Sequence, residues 1–176
     1  MSKIKWNLDA AHSEVSFKVK HMMITNVSGG FNEFTVDAET EGEDFTKSTV
    51  NFTAKAASVN TNSEQRDGHL RSAEFFDSEK FPELEFKATS YEKISGSDYK
   101  LKGDLTIKDV TKNITLDVEY GGINKDPWGN MKAGFTITGK INRKDFGLTW
   151  NAALETGGVM VSDDVKINCE IQLVKG

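Results

Sequence analysis

The chain has one cysteine, two prolines and three histidines in 176 residues, and it has no long apolar run. A lone Cys169 rules out a scaffold of internal disulfides, so the fold must be held by a core. No stretch approaches the roughly 20 apolar residues that a membrane-spanning helix requires. The start, "MSKIKWNLDAAHS", has no apolar h-region, so a cytoplasmic protein is the default expectation, or a periplasmic one if a leader preceded it. The formal charge of −5 gives no electrostatic case for nucleic acid or an anionic membrane. The acidic string "DAETEGED" at 37–44 reads as a solvated turn. There is no P-loop, no G-x-G-x-x-G and no G-x-S-x-G elbow. His12, His21 and His69 match no tight metal spacing, so neither a metal nor a cofactor is expected.

Period-two alternation is what the chain does have. "SEVSFKVKH" sets Val15, Phe17 and Val19 on one face against Ser16, Lys18 and Lys20. The same pattern returns in "STVNFTAKA", "PELEFKATS", "YKLKGDLTI", "NITLDVEY", "MKAGFTITGKI" and "VKINCEIQL". With a broken strand around 31–38, interrupted upstream by Gly29-Gly30, the pattern predicts about eight one-sided strands. One-sided strands without crossover helices indicate an antiparallel sheet. Strands joined by hairpins at 96–98, 108–112 and 124–130 favour closure into a barrel, which removes exposed edges; a two-sheet sandwich is the alternative. The length suits a single domain over residues 1–176, large enough to bury a real core.

Two segments break the pattern. "SEQRDGHLRSAEFFDSEKFP" at 63–82 predicts a short helix, with Asn62 or Ser63 as cap and Asp67 reaching Arg71 at i, i+4. Its arginines, aspartate and histidine read as a structural plug over one end of the barrel, clamping carbonyls or carboxylates at the rim. The other is a long loop at 143–164 with hinges at Gly147 and Gly157-Gly158, a length usually functional or mobile. Within the strands, Ala54, Ala56, Ala88, Gly103, Ala133 and Gly139 share the inward face with phenylalanines. Eight strands leave an interior that side chains fill or that holds one small ligand. Small inward residues tilt the balance toward a cavity, although they also suit the taper of a filled barrel.

An ordered series of segments carries a family resemblance. "WNLDAAHSEVSFKVKHMMITNVSGGFNEF" comes first, with Asp9, His12-Ser13, Phe17, His21 and Gly30-Phe31 in place. "RDGHLRSAEFFDSEKFPELEF", "GDLTIKDVTKNITLDVEY" and "RKDFGLTWN" follow in order. Together they resemble the YceI-like family of lipid-binding barrels. The resemblance implies a lipocalin-like antiparallel barrel whose cavity holds a polyisoprenoid or a fatty-acid derivative. It also implies a homodimer in many members, export to the bacterial periplasm in many relatives, and no settled enzymatic activity. Asp109 stands where the family's turn usually has glycine.

The expectation is an all-β, eight-stranded barrel with one capping helix that carries or sequesters a long isoprenoid or acyl molecule without catalysis. Phe17, Val19, Phe31, Phe52, Phe86, Leu105 and Phe135 are the expected cavity wall. Leu70, Phe76 and Trp150 belong near its ends, and His21 offers a polar group at a strand end. Two rivals remain at this point. One is an enzyme acting on such a lipid through His21 or His69; the other is an interaction module with a filled core.

Overall fold

The computed structural model describes residues 2–151 and 160–176. Eleven strand segments occupy eight positions around a closed antiparallel barrel. β1 (Lys3–Leu8) and β2 (Glu14–His21) share one position, joined by a 3₁₀ turn at Ala10–His12. β3 (Thr25–Phe31) and β4 (Phe34–Glu41) share the next, and β5 (Asp44–Lys55) with the two-residue β6 (Val59–Asn60) the third. β7 (Glu83–Ser95), β8 (Asp98–Ile107), β9 (Val110–Lys125), β10 (Met131–Asn142) and β11 (Asp164–Lys175) complete the ring. β1 closes it by pairing with both β4 and β11, with Trp6 opposite Ala38 on one side and Lys175 on the other.

Three departures from the sequence reading have local causes. The segment around Gly29-Gly30 is strand β3, not an interruption: a Cβ at Gly30 would lie 2.5 Å from the Val15 carbonyl oxygen. Glycine there permits a close backbone approach within the pairing. The acidic string is mostly strand β4, with Ala38 and Thr40 buried between exposed acids, and only 42–43 turn. The opening residues form β1, whose Trp6 is fully buried and donates its Nε1–H to the Thr40 hydroxyl at 2.8 Å.

The helix α1 (Glu64–Arg71) is capped by Ser63, whose hydroxyl accepts from the Arg66 N–H. It sits where the ring has a seam, since β3 pairs with β6 but β6 makes no pairing with β7 among the described residues. Leu70 and Phe76 turn inward there, Phe76 edge-on to Phe31 at 5.6 Å. The expected Asp67–Arg71 pair does not form. Arg71 reaches back to Glu64 at 2.6 Å, while Asp67 is buried and accepts from both the N–H and the hydroxyl of Thr61. The opposite end is closed by rings: Trp6, Phe45, Tyr120 and Phe135 contact one another in series.

Candidate functional site

Between the aromatic floor and α1 the barrel is hollow, with a partly open cavity of about 760 Å³. That is the size of a site for a small organic ligand. Phe17, Val19, Phe52, Phe86, Leu105 and Phe135 line it along the strands. Phe31, Leu70, Phe76, Trp150 and His21 line it toward the α1 end. All eleven expected positions therefore face one space.

The small inward residues contribute to the space in two ways. Of the six small inward residues, only Ala54 lines the cavity. A Cβ on Gly103 would meet the Phe86 ring at 2.4 Å and the Lys87 carbonyl oxygen at 2.6 Å, and one on Gly139 would meet Leu116 Cδ2 at 2.4 Å. These glycines seat the neighbouring Phe86 and Leu116, which line the cavity, back in the wall.

Polarity is confined. Among the described residues no carboxylate lines the cavity, and the lining residues with basic or imidazole side chains are Lys20, His21, Arg66, His69 and Arg143. Arg66 donates to the Thr61 hydroxyl and carbonyl, each at 2.7 Å, as a rim clamp should. Trp150 and Phe75 pack around the His69 ring at 4.6 and 5.0 Å, and His69 Nε2 lies 3.3 Å from Glu74. Deeper in, Tyr91 stacks on Tyr99 at 4.7 Å with its hydroxyl buried and without a hydrogen-bond partner among the described residues. Burial, and then the neighbouring Tyr99 and Tyr120, hold that phenol far above its usual pKa. Burial likewise pushes the Cys169 thiol up to about 12, which leaves it protonated and a poor nucleophile.

One organising residue escaped the sequence reading. Arg143, 3% exposed, follows β10 and donates to four carbonyls: Ser162 at 2.9 Å, Leu148 at 2.5 Å, Trp150 at 2.9 Å and Val161 at 3.3 Å. It has no carboxylate within ion-pair distance among the described residues, and burial lowers its pKa. The clamp fixes both described arms of the 143–164 segment and sets Trp150 over the cavity. The hinge expected at Gly157-Gly158 lies outside the described residues. The three histidines do not assemble, since His12 pairs with Asp9 at 2.9 Å. Among the described residues no group of three metal-ligating side chains gathers.

The geometry is a lined tube, and the comparisons agree with it. The model of the YceI-like domain matches residues 6–173. The chain belongs to the YceI-like family. A UPF0312 protein of Staphylococcus aureus is 40% identical over 168 residues, 95% of each chain. The crystal structure of a Campylobacter jejuni YceI protein is 38% identical with a TM-score of 0.76, covering 96% of both chains. Two more distant structures share the fold. Burkholderia cenocepacia BcnA is 21% identical with a TM-score of 0.79, covering 94% of this chain and 98% of its own. A domain from Saccharophagus degradans, described as polyisoprenoid binding, is 16% identical with a TM-score of 0.68, covering 97% and 98%. This YceI-like chain has no helix among its described residues that is long and apolar enough to cross a membrane.

Proposed function

We propose that the protein carries or sequesters one long apolar molecule, a polyisoprenoid or a fatty-acid derivative, without transforming it. The observation that carries this reading is the cavity of about 760 Å³, walled by aliphatic and aromatic side chains. Each buried methylene contributes about 0.8 kcal/mol, so a chain of many carbons binds firmly without a polar anchor. Among the described residues the polar groups lining the cavity at the α1 end are cationic or neutral and include no carboxylate. They favour cargo whose head is neutral or anionic and lies toward His21 and Arg66. The S. degradans domain described as polyisoprenoid binding supports the isoprenoid class.

An enzyme has less support. Cys169 is a protonated thiol, Asp67 is spent on Thr61, and His21 has no hydrogen-bonded partner to tune or orient it among the described side chains. The test is solvent extraction of the freshly purified protein followed by mass spectrometry. A stoichiometric prenyl or acyl compound, chemically unchanged on re-incubation, is the expected result. An empty extract together with no saturable uptake of any prenyl or acyl probe would count against the reading.

A further inference from the structure

The turn between β2 and β3 is built against its surroundings. Met22 and Met23 hold φ of 54° and 63°, a left-handed conformation that favours glycine or asparagine. They are followed by Ile24, and the three are 40%, 52% and 76% exposed. The turn stands beside the cavity entrance. The Met22 N–H donates to the Met160 carbonyl at 2.8 Å, His21 bridges Val161, and His21, Met160 and Val161 all line the cavity.

The outer face below this turn is sorted by charge. Lys140 lies opposite Lys166, and Lys166 opposite Lys18, in register across β10, β11 and β2; all three are exposed. Lys20 continues the same face toward the turn. Like charges directly opposite each other weaken a sheet, so folding does not favour this ladder. Farther from the turn, Glu14 faces Glu170 across the same two strands. Lys18, Lys20 and Lys166 make no ion pair among the described residues, while Lys140 and Lys144 lie 3.7 and 3.4 Å from Asp164 and Asp163. A net charge of −5 conceals this local excess of positive charge. At the floor end, Trp128 and Ile94 are also exposed, but Lys132 there is held by Asp9 and Asp126, and Glu43 and Asp44 add negative charge.

We propose that the α1 end of the barrel docks on an anionic lipid bilayer, with Met22, Met23 and Ile24 in the interface and the lysine ladder against headgroup phosphates. A strand rise of ~3.3 Å per residue sets Lys20 and Lys18 roughly 10 and 16 Å behind Met23. A turn immersed by ~5–10 Å then holds those ammonium groups near the headgroups. Cargo would pass between membrane and cavity without crossing water; this part deepens the cargo reading and rests on it.

The test is flotation with phosphatidylcholine vesicles that contain or lack phosphatidylglycerol. The protein is expected to float only with the anionic vesicles, and less as salt rises. Each lysine near such a surface contributes roughly fivefold, so Lys18→Gln with Lys166→Gln is expected to cut partitioning by at least ~10-fold. That variant relieves repulsion and should fold at least as well. Ile24→Ser is expected to weaken binding, and Trp128→Ser to leave it unchanged. Uptake of geranylgeraniol from cyclodextrin, measured without vesicles, is expected to be normal in all variants. If uptake fails in the wild type while anionic vesicles still bind, the cargo reading falls and docking stands. No anionic binding overturns the docking, as does binding indifferent to the lysine and Ile24 variants. A dimer that Ile24→Ser dissolves with vesicle binding unchanged overturns it too, by assigning the turn to a second copy.

Discussion

Adding one methyl group at Gly103 and a whole ring at Val19 should have opposite consequences. At Gly103 the new Cβ meets the Phe86 ring at 2.4 Å and, more seriously, the Lys87 carbonyl oxygen at 2.6 Å. The carbonyl belongs to the paired strand, so relief requires β7 and β8 to part. Overpacking of this kind costs about 1–3 kcal/mol. In a chain of this size each kcal/mol shifts the melting midpoint by roughly 2–4 °C, so Gly103→Ala should melt about 2–12 °C lower. Val19 faces the cavity, where a phenyl group has empty space to enter, so Val19→Phe should cost less than about 1 kcal/mol. Geranylgeraniol uptake should follow the reverse order, falling in Val19→Phe and persisting in Gly103→Ala below its melting range. Thermal unfolding paired with a binding isotherm reads both quantities. Equal destabilisation by the two variants, with uptake intact in Val19→Phe, would refute the claim that this part of the barrel is empty.

Three further outcomes follow from named groups. Tyr91→Phe removes a buried hydroxyl with no partner and should raise the urea midpoint of cargo-free protein, by about 1–3 kcal/mol of stability; a lower midpoint would show that the hydroxyl is already satisfied. Arg143→Met strips the donor from four carbonyls and should cost on the order of 3 kcal/mol, seen by urea unfolding together with loss of Trp150 ordering by fluorescence. Asp9 is held below the ordinary 3.8, chiefly by its hydrogen bond from Lys132. Its contribution is full above that value and lost as pH falls through the lower folded one. Lys132→Met should therefore flatten the acid limb of stability below about pH 4, and an unchanged limb would contradict the linkage.

Side-chain alternation made much of this architecture legible. In β8, Leu101, Leu105 and Ile107 are buried between exposed or half-buried neighbours, as a two-residue period requires. The same period assigned Phe17, Phe52, Phe86 and Phe135 to the inward face. It does not say which small residues border the hollow, as Ala54 does, and which make room for a large neighbour, as Gly103 and Gly139 do for Phe86 and Leu116. In a sequence the two kinds look identical, and only the positions of Phe86 and Leu116 tell them apart. Nor does alternation mark residues that act by hydrogen bonding across long separations. Arg143 stands in "NRKDFG" with no partner nearby in sequence to betray four carbonyl contacts. The available signal was Gly147, left-handed at φ 77°, which ends the 3₁₀ turn at Arg143–Phe146. In β1, Ile4, Trp6 and Leu8 alternate, but a six-residue strand offers too few repeats for the pattern to mark.

The measurement that bears most directly on the hollow, cargo-holding barrel is native mass spectrometry of delipidated protein titrated with geranylgeraniol. The account predicts a saturable complex of one ligand per chain, diminished in Val19→Phe. Failure of any prenyl or acyl probe to form a saturable complex, with the fold intact, would contradict it.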